Sequence, residues 1–470
     1  MNTRVADAPI ADVHVAVIGA GVVGSAIARD LAGTTLTLAL LEARGDVGDG
    51  TSKANTGILH TGFDAKPGTL ESRLVARGYD LLGDYASATG IPVERTGALL
   101  VAWTQEELGT LPSLRDKAIR NGYDRCELVD AAAVYARVPA LADGALGGLT
   151  VPDESITCTW TATLALATDA VRRGAVLLRG HPVTDARPDP AGGWLLETPQ
   201  GLVRARWVVN AAGLGADRVD RLFGHDRFTV TPRRGELFVF DKLARPRVPV
   251  IVLPVPSKVG KGVLVSPTIY GNVMLGPTAE DLDDKTMTGT SEEGFAFLLE
   301  KGERLMPSLL DEEVTATYAG LRAAIDADDF LIDLDAARRY LLVGGIRSTG
   351  LTASIAIAEH VHELLAEGSD LVLTERDDLP EPPRMPNLGE AGLRPYQDAP
   401  RIAEDPDYGR MVCFCERVSA GELRDAFAST IPPVDLDGLR RRTRVMNGRC
   451  QGFYCGARAQ ALLEAQGEAR

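Results

Sequence analysis

The stretch "HVAVIGAGVVGSAIARDLA", residues 14–32, decides the fold. Val13–Ile18 reads as a buried strand, the following glycines as a turn, and the residues from about Val23 as a helix. Gly19, Gly21 and Gly24 fit G-x-G-x-x-G: the first permits the tight turn, the second lets backbone approach a pyrophosphate, and the third lets helix meet strand. The partial positive charge of the helix N-terminus then faces the phosphates. A second strand, "TLTLALLEA", ends at Glu42, 18 residues beyond Gly24, where a carboxylate can accept from ribose hydroxyls. Strand, glycine turn, helix and distal acid together predict a dinucleotide site.

Three further stretches extend it. "GDVGDGTSKANTGILHTGF", residues 45–63, offers Thr51, Ser52, Asn55 and Thr56 as donors to a cofactor. "ARWVVNAAGLGADRV" is an apolar strand that breaks at Ala211, Ala212 and Gly213. "YLLVGGIRSTGLTASIAIAEHV" gives another strand, glycine turn and helix, whose glycines let backbone approach a flat ring. No second glycine turn leads to an acidic strand end, so a separate NAD site is not expected.

This ordered set, with "NTGILHTGFDAKPGTLESRLVARG", "PRRGELFVFD", "KGVLVSPTIYGNVMLGPTAED" and "YAGLRAAIDADDFLID", resembles the FAD-dependent oxidoreductases of the D-amino-acid oxidase superfamily. It is most similar to the branch holding glycerol-3-phosphate dehydrogenase large subunits and L-2-hydroxyglutarate oxidases. The resemblance implies an α/β chain with a Rossmann-like FAD-binding domain (1–85, 151–225 and 320–372) interleaved with a mixed β-sheet substrate domain (86–150 and 226–319). It also implies cofactor contacts at Val183, Ala212, Gly213, Gly345, Arg347, Gly350, Leu351 and Thr352.

In such enzymes a substrate hydride moves to the flavin while the protein orients the substrate and handles a proton. Arg322 matches the position where relatives hold the substrate's anionic group, and a guanidinium fork suits carboxylate or phosphate. Arg234 and Lys258 are second candidates for substrate binding. Arg347 is a candidate cation for the anionic reduced flavin, or a member of an unrelated ion pair. His60 is the candidate base for the hydroxyl proton. It has two rival readings: covalent flavin attachment, although its "HTG" differs from the relatives' "HxxG", and a structural histidine. Cys126 and Cys158 lack basic neighbours and read as buried small hydrophobes.

Residues 373–410 are predicted to be an extended linker, with seven prolines from 375 onward. Behind it Cys413, Cys415, Cys450 and Cys455 follow a C-x-C, 34-residue, C-x4-C pattern that suits zinc or an iron–sulfur cluster. "VCFCERVSAGEL" and "RRRTRVMNGRCQGFYCGARAQALL" resemble the bacterioferritin-associated-ferredoxin-like [2Fe-2S] domain, assigned to 411–470. Arg440, Arg441, Arg442, Arg444 and Arg449 either offset the cluster's negative charge or form a solvated basic face.

Net charge is −15 and argues against broad nucleic-acid binding. Neither a signal peptide nor a membrane-long apolar run is found, so a cytoplasmic enzyme is expected, with peripheral membrane docking left open. The expected function is oxidation of glycerol 3-phosphate or a similar polyol phosphate to a ketone. Electrons would leave through the [2Fe-2S] centre to an acceptor protein or quinone-linked partner. An L-2-hydroxy acid is the main alternative substrate, and amine oxidation another. A third reading is a non-catalytic subunit that only transfers electrons.

Overall fold

The structure, a computed structural model, describes residues 9–256 and 262–468. Its first layer grows from the strand Ala11–Ile18, whose Val15, Ala16 and Val17 are wholly buried. Leu38–Glu42 and then Val176–Arg179 lie on one side of it in parallel; Gly201–Asn210 and then Tyr340–Gly344 lie on the other. The chain order therefore reverses at Ala11–Ile18, and in open α/β sheets the crevice beyond the strand ends at such a point receives the ligand. The antiparallel strands Trp194–Thr198, Asp185–Pro188 and Leu331–Asp335 complete an eight-stranded sheet among the described residues.

Helices Val22–Leu31, Leu70–Thr89, Thr159–Arg172 and Gly350–Gly368 pack together against this sheet. The helix Gly350–Gly368 is rich in Ala and Ser where it is buried, which lets its neighbours come close. A Cβ at Gly78 would stand 2.3 Å from the Thr352 carbonyl oxygen, so a larger residue in the helix Leu70–Thr89 would push the two apart.

The second layer is a mixed sheet of nine strands among the described residues. At its heart Thr231–Phe240 pairs with Val314–Ala324 along nearly its whole length. Val314–Ala324 spans position 320, the expected boundary, and belongs entirely to this sheet. A small ribbon joins the layers: Ile58–Leu59 and Val93–Glu94 both pair with Ser155–Thr157.

The proline-rich segment runs along the body and winds into short helices at Pro395–Gln397, Ala399–Glu404 and Pro406–Gly409. Beyond it, Met411–Cys413 pairs with Val418–Ser419, and Ser419 with Glu422 forms a reciprocal capping box that opens the helix Ala420–Ala428. No described helix is long and apolar enough to cross a membrane.

Candidate functional site

A cleft of ≈ 240 Å³ opens at the end of the first sheet where the strand order reverses. Gly19, Gly21, Glu42, Thr51, Ser52, Val183, Ala212 and Gly213, all expected cofactor contacts, line it. Gly19 has φ +103°, and a Cβ there would lie 2.5 Å from the Ala211 carbonyl oxygen. A Cβ on Gly24 would meet the Gly19 carbonyl oxygen at 1.9 Å, so neither position tolerates a side chain. Ser52 Oγ accepts from the Val22 N–H at 2.9 Å and so closes the start of the helix Val22–Leu31 over the cleft. The Glu42 carboxylate accepts from Ala20 N–H (2.9 Å) and Arg44 N–H (2.8 Å). Burial raises its pKa, and those two N–H groups only partly offset that.

The remaining cofactor-segment residues divide into lining and bracing groups. Thr51 Oγ1 donates to the Leu321 carbonyl (2.8 Å), and Asn55 Nδ2 donates to the Ser52 carbonyl and to Thr159 Oγ1. These bonds fix the loop that also carries Thr56. Gly345 sits in the turn after Tyr340–Gly344, while Leu351 and Thr352 are buried in the first turn of Gly350–Gly368. A narrow cleft, glycines forced by backbone contact and a buried acceptor at the strand end fit a dinucleotide cofactor. Gly24→Ala is expected to cost about 1–3 kcal/mol by overpacking, and to lower the flavin absorbance per mole of purified protein.

His60 and Arg322 lie on two walls around this loop. Ile58 pairs with Ile156 and Leu59 with Ser155, so the antiparallel register carries His60 opposite Glu154. His60 Nδ1 is 3.0 Å from Glu154 Oε2, and Glu154 Oε1 accepts from both Thr61 N–H (2.7 Å) and Thr61 Oγ1–H (3.0 Å). Glu154 is fully buried. A carboxylate can only accept, which assigns the proton to Nδ1 and leaves Nε2 as the basic nitrogen. The His60 N–H donates to Thr352 Oγ1 (3.0 Å), tying this dyad to the third cofactor segment. Sequence reading missed Glu154, whose only local sign is an acid abutting the apolar run from Ser155.

Tyr318, Gly320 and Arg322 alternate onto one face of Val314–Ala324. That face meets the cofactor loop: Tyr318 Oη donates to the Asn55 carbonyl (2.8 Å), and a Cβ at Gly320 would lie 2.1 Å from the Ala54 carbonyl oxygen. Arg322 shares this face, its guanidinium 2.8 Å from where a Gly235 Cβ would stand. Among the described residues Arg322 has neither an ion-pair nor a hydrogen-bond partner. Burial, and after it the nearby Arg233, lower its pKa from the ordinary arginine value.

Arg234 and Arg347 do not join Arg322. Arg234 pairs in register with Leu321, so strand alternation turns it to the opposite face. There it is consumed by Glu280 (2.5 Å), Glu236 (3.0 Å), Ser291 and the Gly289 carbonyl, which leaves it nothing for a substrate. Arg347 Nη2 binds Glu71 Oε2 (3.0 Å) and the Asp328 carbonyl (2.9 Å), in the ion-pair role foreseen as its alternative. Lys258 lies outside the described residues. Cys126 and Cys158 are buried, and Cys158 Sγ caps the helix Thr159–Arg172 by accepting from Thr161 N–H.

In the tail, Cys413 lies beside Cys455 and Cys415 beside Cys450, and the two pairs neighbour each other. The backbone amides of Tyr454, Gly452 and Phe453 lie beside the Cys450 sulfur and hold its pKa below the usual thiol value, surroundings that suit a metal-bound thiolate. A Cβ at Gly448 would lie 2.2 Å from Cys415 Cβ, so glycine is what lets the two cysteine loops meet. Among the described residues no three such side chains converge on a single ion. Two facing pairs suit two irons better than one zinc.

Of the basic run, Arg441, Arg442 and Arg444 turn inward, while Arg449 stays exposed. Arg441 and Arg442 bind the buried Asp46 at 2.9 and 2.7 Å, directly beyond the strand end that carries Glu42. Arg449 reaches Asp241 (2.8 Å), and Arg444 reaches Glu416 (2.8 Å). Burial pushes the Asp46 carboxyl up, but the Arg442 and Arg441 guanidiniums outweigh it and hold the pKa below the usual value. A depressed folded-state pKa contributes stability above the unfolded value, near 4, that is lost as pH falls through the folded one. Asp46→Ala is expected to weaken tail docking by about 3–5 kcal/mol, because the buried Arg442 loses its carboxylate and Arg441 keeps only Asp49. Faster proteolysis within 373–410 at neutral pH would report it.

Comparison with known proteins places these features. The family model for FAD dependent oxidoreductases matches residues 14–364. The chain belongs to that family. A second model, the BFD-like [2Fe-2S] binding domain, matches residues 411–465 of this flavoenzyme. A glycerol 3-phosphate dehydrogenase of Caloramator mitchellensis is 34% identical over 451 residues, covering 96% of this chain and 93% of that one. A subunit of the anaerobic glycerol-3-phosphate dehydrogenase of Escherichia coli (strain K12) is 28% identical, covering 99% and 89%. Among solved structures, the dithionite-reduced L-alpha-glycerophosphate oxidase of Mycoplasma pneumoniae with FAD bound matches with a TM-score of 0.75 at 28% identity, covering 80% and 100%. The flavoenzyme is thus an FAD-dependent, glycerol-3-phosphate dehydrogenase-like oxidoreductase with a C-terminal [2Fe-2S] domain.

Proposed function

We propose that this enzyme oxidises glycerol 3-phosphate, or a closely similar polyol phosphate, at its secondary hydroxyl to the ketone. Electrons then leave through the [2Fe-2S] centre to an acceptor protein or quinone-linked partner. The observation that carries the substrate reading is Arg322, a half-buried guanidinium with no carboxylate beside it among the described residues, on the face that meets the cofactor loop. A half-buried cation without a protein partner is free to take an anion, and a planar fork pairs best with a phosphate or carboxylate.

His60 supplies the second half of the reaction. With Nδ1–H held by Glu154, Nε2 can take the hydroxyl proton as the C–H bond breaks. Bound FAD supplies the hydride acceptor. Among the chain's own groups, Arg322 holds the anion, His60 moves the proton, Glu154 fixes the imidazole, and Thr352 ties the His60 backbone to the cofactor segment. The names of the Caloramator and E. coli relatives support the substrate, and the standing of the latter as one subunit of a larger enzyme supports a protein acceptor.

An L-2-hydroxy acid would use the same guanidinium through a carboxylate, so a substrate panel decides. Flavin bleaching without oxygen should be at least about 10²-fold more efficient with glycerol 3-phosphate than with glycerol, which lacks the anion. It should also exceed the rate with L-2-hydroxyglutarate. Faster bleaching by the hydroxy acid would replace the phosphate reading, and equal rates with glycerol would remove Arg322 from substrate binding.

A further inference from the structure

The tail is joined to the cofactor loop by a column of three side chains from three separate parts of the chain. Trp160 begins it. Its Nε1–H donates to the Lys53 carbonyl (2.9 Å), in the turn Thr51–Lys53 whose Thr51 and Ser52 line the cofactor cleft. Its indole stacks on the Tyr270 ring with centroids 5.0 Å apart and planes 24° from parallel. The Arg444 guanidinium lies 4.1 Å from the Tyr270 centroid and 5.9 Å from the Trp160 ring. Arg444 in turn binds Glu416, the residue after Cys415. Contact is therefore continuous from the wall of the cleft to a cluster cysteine.

Two features show that this column is more than a filled seam. Arg444 is the left-handed end of the helix Leu436–Thr443, with φ +69°, a position where glycine is usual. The backbone accepts that strain and still carries a bulky charged side chain that is only 4% exposed. Paired with Glu416 alone, which also belongs to the tail, Arg444 would only brace the tail internally; it also covers an aromatic ring of the body. The docking itself is already held by Arg441 and Arg442 on Asp46 and by Arg449 on Asp241.

We propose that Trp160, Tyr270 and Arg444 are the electronic contact between flavin and cluster, a packed route for electrons leaving the cofactor loop. This rests on the reading that electrons pass from flavin to cluster. Each transfer moves one electron. The two-electron-reduced flavin loses one and is oxidised by that amount, and the cluster gains it as one ferric iron becomes ferrous. The second electron follows once an external one-electron acceptor has drained the cluster. Neither ring is itself oxidised; they provide short through-space steps in place of solvent.

The test uses the complete protein carrying both cofactors, without oxygen and without substrate. A light flash with EDTA as donor reduces the flavin, and absorbance follows flavin and cluster bands separately. In the natural protein the cluster bands should bleach after the flavin. Trp160→Leu and Tyr270→Leu should slow that second phase at least tenfold, while Trp160→Phe, which keeps a ring, stays within threefold. FAD and iron content and the flavin phase show whether each variant is intact; where a leucine variant fails to load, Tyr270→Phe and Arg444→Met take its place, and Arg444→Met should also slow the phase. Unchanged cluster bleaching in loaded variants overturns the column. If the natural protein's cluster never bleaches after its flavin, the electron-passing reading itself fails, and the column with it.

Discussion

Arg322→Lys should lower kcat/KM for glycerol 3-phosphate by about 10³-fold, and Arg322→Gln by more. Truncating one partner of a desolvated charge pair costs about 3–5 kcal/mol, and 4.1 kcal/mol corresponds to about a thousandfold. Lysine keeps the charge but loses the planar fork, so it should recover only part of the binding. Gly235 backbone lies directly beneath the guanidinium, so the site is shaped for that flat group. The loss should appear mainly in KM if the anion is gripped equally in ground and transition states. A variant with natural FAD content and unaltered kinetics would remove Arg322 from the site.

His60→Gln should lower kcat by about 10²–10⁴-fold, the range expected for losing a positioned base. Glu154→Gln tests the same dyad more finely. A glutamine can still meet Nδ1 but can offer an N–H there, which favours the wrong tautomer, as it would in any histidine held by a carboxylate. Its expected signature is a fall in kcat with KM little changed. Glu154→Ala, by contrast, also strips Thr61 of its acceptor and should reduce stability. If His60→Gln keeps natural kcat, the imidazole is structural and the proton leaves by another route.

Much of the fold was legible because its signals are local. The glycine spacing, the buried strand and Glu42 lie within one βαβ stretch, and the backbone contacts of Gly19 and Gly24 explain that spacing. The cysteine pattern was equally local, and Gly448, which lets the two loops meet, stands two residues from Cys450. Partners remote in sequence were not legible. Glu154 meets His60 only because Ile58–Leu59 pairs with Ser155–Thr157, a pairing that neither segment announces. Arg234 and Arg322 both sit in strands, and which of them turns to the cofactor loop depends on a register that shifts faces with every residue. The basic run at 440–449 was visible as charge, but its partners Asp46, Glu416 and Asp241 are scattered over the chain.

The most direct measurement is an anaerobic titration of the purified protein with glycerol 3-phosphate, followed by visible absorbance. A flavin takes two electrons and a [2Fe-2S] centre takes one, so both sets of bands should bleach and reach an end point near about 1.5 equivalents of this two-electron donor. An unchanged spectrum in protein that dithionite fully bleaches would contradict the proposed substrate. Bleaching that stops at about one equivalent, with the cluster bands intact, would contradict the proposed electron route.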